Sequence, residues 1–503
     1  MSTDVLLGID IGTSSSKGVL VTPDGSIVAR DDRPHSTSSP HPGWFEQDAE
    51  LIWWADFVAL SRQLLAAAPD ARVLGVATSG LGPCVLATDA AGVPLRPAIL
   101  YGIDTRAGAQ ISSLTAALGA QAILEHSGNV LTSQAVGPKL LWLRDEEPEV
   151  WARTRRMFMA SSYLVARLTG EYVLDHHSAS QSVPLYELGR QQWNQAWCAE
   201  LAPQLELPRL AWPEDIVGAV TDEAGAATGI PPGTPVTCGT IDAWAEGVSV
   251  GACGLGDVMV MYGTTMFLTA VTDRVLRNDR LWSTVGARRN TFTLAAGMAT
   301  SGAITDWFRR LTGLNYPDLL DAAQNAPAGG GGLLMLPYFA GERTPLFDPD
   351  ARGVLAGLTV DTGPGEIYRA ILEATAFGVR HNLEAFEAAG APLTRMVAVG
   401  GGSGHALWPT IVSSATGRNQ DITREHVGAA LGDAFLAAAA LDQNPDIGEW
   451  NPVVGTYRPN PDWQHTYRAL WPQYLDLHTN TRELQHRLAE LSRVGADVPG
   501  REP

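Results

Sequence analysis

Leu6-Leu7-Gly8-Ile9-Asp10-Ile11-Gly12-Thr13-Ser14-Ser15-Ser16-Lys17-Gly18-Val19-Leu20-Val21 is the stretch on which the fold turns. An apolar run suited to a buried strand delivers one acidic residue, Asp10, and a turn of small residues follows at once. A second apolar strand leaves that turn and ends in Pro23-Asp24-Gly25, the chemistry of a hairpin. Gly12, Thr13, Ser14 and Ser15 are small enough for backbone N–H groups to approach a phosphate. Asp10, at the same edge, is suited to hold the waters of a Mg²⁺ ion, which takes oxygen ligands and keeps much of its hydration. The plain alternative is a hairpin with a polar turn, and the opening alone does not decide between them.

Recurrence tips the balance. Val258-Met259-Val260-Met261-Tyr262 runs into Gly263-Thr264-Thr265 and then into the apolar Met266 to Val271, which repeats the opening scheme about halfway along the chain. This predicts an α/β protein with two similar halves facing across a cleft. Gly247, Gly251, Gly254 and Gly256 accumulate between them, as a hinge would require. The expected divisions are 1–247, 248–490 and a frayed tail over 491–503.

Within the first half, Arg72 to Ser79 reads as a strand, and Ile99 to Arg106 as a strand leading into a helix. Helical stretches are expected to begin at Leu140 to Leu143 and at Trp151, and Tyr163 to Leu168 has helical spacing before a Thr169-Gly170 stop. In the second half, Glu366 to Ala388 reads as one long helix and Met396 to Val399 as a strand. His426 to Leu441 reads as an alanine-rich buried helix in which Gly428 and Gly432 permit close approach. Thr479 to Leu491 reads as an amphipathic helix, with Val494 to Pro503 frayed.

Composition narrows the function. At 503 residues, 45% hydrophobic and 18% charged, the chain has enough material for two or three ordinary globular domains. A formal charge of −19 speaks against a nucleic-acid surface, which needs clustered Lys and Arg. It leaves room for a single nucleotide held by a local pocket with Mg²⁺. Asp4, Gly8 and Asp10 interrupt the early apolar run, so no signal peptide is read. Ala429 to Leu441 contains Asp433 and is shorter than the ~20 residues of a membrane span. Cys84, Cys198, Cys238 and Cys253 show no paired-ligand pattern, and neither a zinc site nor a disulfide framework follows. A cytoplasmic protein without nucleic-acid or membrane partners is expected, with a homodimer left open.

Two further segments carry chemistry. Thr237-Cys238-Gly239-Thr240-Ile241-Asp242 places a carboxylate after a strand and a glycine turn. A well-placed base of this kind contributes ~10²–10⁴ in rate when an alcohol attacks phosphorus. Asp242 equally suits a helix N-cap before Ala243-Trp244-Ala245-Glu246, and both roles can hold together. Gly400-Gly401-Gly402-Ser403-Gly404 lies between a strand and a helix starting near Leu407-Trp408, where adenine and ribose could lie against backbone. Many strand-to-helix turns use glycine without binding anything. The GxxxxGK[ST] phosphate loop is absent from the sequence.

Taken in order, these pieces resemble the FGGY family of carbohydrate kinases, within the actin, hexokinase and Hsp70 superfamily. The resemblance rests on Asp10-Ile11-Gly12-Thr13, Gly43-Trp44-Phe45-Glu46-Gln47-Asp48, Leu168-Thr169-Gly170 with Asp175, and Gly239 to Asp242. It continues through Gly263-Thr264-Thr265, Ser301-Gly302 with Trp307-Phe308, Gly341-Glu342-Arg343-Thr344-Pro345, and Gly400 to Ser403. The ending around Tyr457-Arg458-Pro459-Asn460-Pro461, with Tyr467 and Tyr474, is similar to the xylulokinase-like branch.

The resemblance implies two RNase H-like domains flanking a cleft, with ATP between them and a sugar deeper, mostly on the first. It makes Asp242 the catalytic base and Asp10 the Mg²⁺-associated carboxylate. Gly12 to Ser15 and Gly263 to Thr265 become phosphate-facing turns, with Gly302 and Gly400 to Ser403 on the nucleotide. The implied reaction is ATP-dependent phosphorylation of a sugar or polyol hydroxyl. D-xylulose comes first, then another ketopentose, a tetritol or glycerol. A nucleotide-dependent sugar sensor or chaperone-like switch is the reading from another class, and it would not require a base at Asp242.

The chain departs from the xylulokinase pattern near the sugar. Gly80-Leu81-Gly82-Pro83-Cys84 stands where such kinases commonly carry a Met-His pair, and Tyr101-Gly102-Ile103-Asp104-Thr105-Arg106 where many carry Trp-x-Asp-x-Arg. Ala243 follows the base in place of a polar side chain. Gly80, Leu81 and Gly82 are therefore expected to line the sugar pocket. Asp104, Arg106 and Gln134 are replacement polar contacts, with surface or helix-capping roles as their alternative. Fewer polar groups imply modest discrimination among small sugars and polyols.

Overall fold

The opening run forms the strand Thr3–Ile11, buried from Val5 onward as a near-continuous apolar strand in mid-sheet must be. A computed structural model describes residues 3–441, 443 and 445–496 of the chain. Thr3–Ile11 pairs antiparallel with Ser15–Val21, which pairs antiparallel with Ile27–Pro34. On its other side lies Ala71–Gly80, parallel, then Pro235–Thr237, parallel, and Ile216–Ala219 at the edge. The short Thr240–Ile241 extends parallel from the end of Ala71–Gly80 and carries the chain directly into Asp242.

The second sheet repeats this plan. Asp257–Tyr262, Met266–Thr272, Phe292–Met298 and Trp282–Val285 run antiparallel on one side, in that spatial order. Arg395–Val399 and Gln420–Thr423 add in parallel on the other, with Val453–Tyr457 at the edge. Both sheets have seven strands, and each central strand feeds a hairpin through a glycine-containing turn. This is the pair of RNase H-like sheets that the sequence implied.

The helix Ala429–Ala440 comes from the far end of the chain yet packs on the first sheet. A Cβ at Gly8 would lie 2.0 Å from the Ala430 carbonyl oxygen, and one at Gly432 would lie 2.0 Å from that of Ala245. Strand, helix and the neighbouring helix Asp242–Ser249 thus touch backbone to backbone, which only glycine allows. Ala430, Leu431 and Ala434 share a core with Leu6, Leu7 and Ile9. The second core gathers around the long helix Pro364–Ala388, where Phe377 meets the rings of Tyr467, Trp471 and Tyr474.

Several expected boundaries move. The terminal helix runs from Pro461 to Ala496, far beyond Thr479–Leu491, because Tyr467, Trp471 and Tyr474 recur at helical spacing against that core. Pro461 opens it at a position where a missing N–H costs nothing, and packing carries it past Pro472. Residues 491–496 continue this helix instead of fraying, while 497–503 lie outside the described residues. Leu140 and Trp151 fall inside helices that start earlier, Val136–Glu146 and Pro148–Arg153. After the strand Ala98–Ile99 the chain turns, and the next helix begins only at Gly108. The alanine-rich helix starts at Ala429, with Gly428 just before it at φ +93°. No helix among the described residues is long and apolar enough to cross a membrane.

Candidate active site

Hairpin register places Asp10 opposite Lys17, and parallel pairing places it beside Ser79. The turn that follows is closed by Gly12 N donating to Ser15 O at 3.0 Å; the turn of the second sheet is closed by Gly263 N donating to Thr265 O at 3.1 Å. The first turn is braced from behind. Gln47 Nε2 and Thr37 Oγ1 donate to Thr13 O at 2.9 and 2.8 Å, and Trp53 Nε1 donates to Gln47 Oε1 at 2.8 Å. His35 joins Gly12 O to Asp56, at 3.0 Å from Nε2 and 2.9 Å from Nδ1. Within the Gly43 to Asp48 motif it is Gln47 that braces the first turn.

The second turn is seated on a helix end. Gly302 N donates to Gly263 O and Ala303 N to Thr264 O, each at 3.0 Å, as the helix Gly302–Thr312 begins. Gly400 adopts φ +87°, and a Cβ there would sit 2.7 Å from Tyr262 O. The residues after it make a single helical turn, Gly401–Gly404. An opening of about 830 Å³ is lined by Gly263, Thr264, Gly302, Tyr316, Tyr368, Gly401, Gly402 and His405. Ser403 does not line it; its hydroxyl is turned back, donating to Gly400 O at 2.7 Å.

A smaller cavity, about 140 Å³, lies next to Asp242 and Thr265. Asp242 is the first residue of the helix Asp242–Ser249, and Ile241 occupies the cap position without a side-chain cap bond. One carboxylate oxygen accepts from Ala243 N at 2.7 Å, so the capping role expected as an alternative is not the one adopted. Burial, and then the charge of Asp10, push Asp242 well above the usual carboxylate range. Burial also raises Asp10, against the opposing pull of Ser79, Lys17 and His35. Glu246, one turn beyond Asp242, is pushed by burial to about 7, with Lys17 opposing.

Asp433 is an acid that the sequence did not single out. It is fully buried on the helix Ala429–Ala440, and burial followed by the charge of Asp10 holds it well above its usual range. Ser79 Oγ lies 2.7 Å from Asp433 Oδ2 and 3.1 Å from Asp10 Oδ1. A hydroxyl has one proton, so both contacts are satisfied when a protonated Asp433 donates to Ser79 and Ser79 donates to Asp10. Among the described residues no three His, Cys, Asp or Glu side chains close on one point. Asp10, Asp242 and Asp433 each offer carboxylate oxygens, the donor type that Mg²⁺ takes.

The smaller cavity is lined by Gly82, Tyr101, Gln134, Gln181, Asp242, Thr265 and Arg343, among others. Of the residues expected at the sugar, Gly82, Gln134 and Asp242 line this cavity. Gly80, Leu81 and Asp104 do not. A Cβ at Gly80 would meet Ala160 Cβ at 2.7 Å, and Leu81 N donates to Ile11 O at 2.7 Å with its side chain buried behind. Asp104 accepts from Phe45 N at 2.7 Å and pairs with Arg106 at 2.8 Å. Arg106 in turn pairs with Glu46 and stacks over Trp44 and Trp142. This buried charge network supports the wall and touches no acceptor, because the carboxylate's lone pairs are already taken. On the same wall, Gly102 N donates to Gln134 Oε1 at 2.7 Å, which leaves the Gln134 amide N–H₂ for the cavity.

Of the first turn, only Thr13 is linked to this cavity, through its hydroxyl 3.0 Å from that of Tyr101; Gly12, Ser14 and Ser15 line neither opening. The sequence missed Asn129, Thr132, Gln181, Thr284 and Arg343, so the expected shortage of polar groups is corrected. His177 Nδ1 donates to Val285 O at 2.7 Å, so its Nε2 accepts from Gln181 Nε2 at 2.8 Å, and Gln181 Oε1 remains an acceptor. Asn129 exchanges two hydrogen bonds with Ser283 of the second sheet, at 2.7 and 2.6 Å, which roofs the cavity from the other half. Arg343 lay in a quoted motif but carried no assigned role, and nothing local marks the other four.

Comparison with known proteins agrees with this geometry. The FGGY family of carbohydrate kinases matches through its N-terminal domain at residues 5–248 and its C-terminal domain at residues 258–441. A xylulose kinase of Escherichia coli (strain K12) is 31% identical over 490 residues, 94% of this chain and 99% of that protein. One from Klebsiella pneumoniae is 32% identical over 450 residues, 88% of this chain and 91% of that protein. The crystal structure of xylulose kinase from Rhodospirillum rubrum aligns with a TM-score of 0.89 at 29% identity, covering 96% of this chain and 100% of that one. Matches of this length, running in order through both halves, establish that the chain belongs to the FGGY family of carbohydrate kinases, phosphotransferases that act on sugar hydroxyls.

Proposed function

We propose that this kinase transfers the γ-phosphoryl group of ATP to a hydroxyl of a small ketose, with D-xylulose as first choice. The observation that carries the reading is the position of the second turn. Thr265 lines the cavity that holds Asp242, while Gly263 and Thr264 line the larger opening on the other side. A phosphoryl group at that turn would have the nucleotide on one side and the acceptor on the other, in line for displacement. Residues 1–247 then carry the base and one wall of the acceptor cavity, while 248–490 supply the facing wall and the adenosine site.

Asp242 takes the proton of the attacking hydroxyl, and its raised affinity for that proton suits a base working near neutral pH. Backbone N–H groups of the two turns position and stabilise the transferring group, and the roof formed by Asn129 and Ser283 keeps bulk water from competing. Mg²⁺, held by Asp10 through water, would neutralise charge on the ATP phosphates. The choice of xylulose leans on relatives that bear that name. A coupled ADP-release assay over ketopentoses, tetritols and glycerol tests it. D-xylulose should show the highest kcat/KM, and a tetritol or glycerol ahead of it would overturn the substrate while leaving the kinase standing.

A further inference from the structure

Arg343 enters the acceptor cavity from the second half of the molecule, on a loop fixed at both flanks. Glu342 accepts from Ala299 N at 2.9 Å and from Arg343 N at 2.7 Å. Gly297 N donates to Thr344 Oγ1 and Thr344 Oγ1 donates to Asn382 Oδ1, each at 2.7 Å. The guanidinium itself has no ion pair or hydrogen-bond acceptor among the described residues. Arg96 and Arg106, behind the same wall, are tied to Glu46, and Arg106 also to Asp104. A guanidinium that lines a cavity from a fixed loop, with no acceptor in the protein, keeps its fork of N–H groups for a ligand there.

The other polar groups of the lining are largely committed. Tyr101 meets Thr13, Asn129 meets Ser283, and Thr284 meets Thr293 at 2.5 Å. What remains is donors from Arg343, the Gln134 amide and the Trp282 indole, acceptors from Asp242 and Gln181 Oε1, and the hydroxyls of Thr132 and Thr265; among the donors only Arg343 is charged and forked. A polyol hydroxyl can serve either side, whereas a planar fork of N–H groups is matched best by an sp² oxygen that only accepts.

We propose that Arg343 is the specificity-determining residue of the acceptor cavity. It donates to an sp² oxygen of the acceptor, a ketone carbonyl or a carboxylate, and so sets such acceptors apart from polyols of the same length. The inference rests on the kinase reading above and fails separately from it. If the unaltered protein phosphorylates no acceptor at all, the kinase reading falls.

The test compares D-xylulose, the corresponding pentitol and the corresponding pentonate, with ATP saturating, in the unaltered protein, Arg343→Gln and Arg343→Lys. The unaltered protein should favour an sp²-oxygen acceptor over the pentitol by ~10²–10³ in kcat/KM, and whether ketose or pentonate leads identifies the oxygen. Arg343→Gln should reduce kcat/KM for that acceptor by ~10–100-fold, mainly through KM, with a loss at least tenfold smaller on the pentitol and the KM for ATP unmoved. Arg343→Lys, which keeps charge but not the fork, should fall between. Without ATP, the preferred acceptor should raise the melting temperature of the unaltered protein and not that of Arg343→Gln, a readout that does not depend on turnover. Equal losses on ketose and pentitol, or a raised KM for ATP with acceptor KM unchanged, would overturn the proposal.

Discussion

Asp242 illustrates how a single side chain acquires its chemistry from where the backbone leaves it. Ile241 occupies the cap position, one oxygen of Asp242 accepts from Ala243 N, and the residue lines the smaller cavity. Asp242→Asn keeps the shape and removes the base, and kcat should fall by ~10²–10⁴ with nucleotide binding retained. In the parent, the acid limb of kcat/KM should sit well above pH ~4, where an unperturbed carboxylate titrates, since burial and Asp10 both favour the protonated form. An acid limb near that ordinary value would show that Asp242 is not the base. Gly82→Leu is the second test at this scale. Its Cβ would meet Ile241 at 2.6 Å, beside the base, so the variant should lose kcat as well as raise the KM for sugar. An unaltered kcat with raised KM would mean that Ile241 yields without moving Asp242. Asp10 and Asp242 were legible in the sequence because each stands where a strand meets a glycine turn, Gly12 just after Asp10 and Gly239 just before Asp242. Gln181 and Arg343 were not, because they come from unrelated segments and converge only in three dimensions.

Among the elements, the two hairpin turns could be read from the sequence, since strand, glycine and polar residues are local signals. The destination of the helix Ala429–Ala440 could not, since alanine at every face suits any partner. Its contact with the helix Asp242–Ser249 gives a prediction. Gly432→Ala would press a methyl carbon to within 2.0 Å of the Ala245 carbonyl oxygen, and backbone cannot yield as a flexible side chain can. A loss of ~1–3 kcal/mol or more is expected, read by chemical denaturation. Because Asp242 and Asp433 sit on the two helices being forced apart, activity should fall by more than the folded fraction does. Unchanged stability would mean that the helices are free to slide. The terminal helix carries the opposite lesson. Pro472 lies inside it, and aromatic packing against Phe377 carries the helix past that position.

For the whole molecule, the acids of the cleft make stability depend on pH in an unusual direction. Asp10, Asp242, Glu246 and Asp433 all have raised folded-state affinities for protons. Below the unfolded carboxylate value of ~4 both states are protonated and the cluster is at its least costly. As pH rises from there toward about 7, where Glu246 titrates, the unfolded state ionises first and stability is lost. Glu246→Gln removes one such group. In melts without Mg²⁺ or nucleotide, its melting temperature should gain on that of the parent as pH is raised through this window. A gap that stays constant with pH would exclude the cluster as the cause. The duplication of sheets, and with it this shared cleft, was evident from two similar stretches of sequence; the acid on Ala429–Ala440 was not, since its partner Ser79 lies in the other half.

The same helix sets a timetable for the making of the protein. The groove at Gly8 is finished only by residues around Ala430, more than four hundred positions later. At a synthesis rate of ~5–20 residues per second, the amino-terminal strands wait on the order of tens of seconds for the piece that covers them. Throughout that interval the nascent chain presents a bare apolar face to whatever surrounds the ribosome. Slower translation lengthens that exposure, and faster capture by chaperones shortens it. The order of synthesis thus makes the cover of the first sheet one of the last contacts the chain can form.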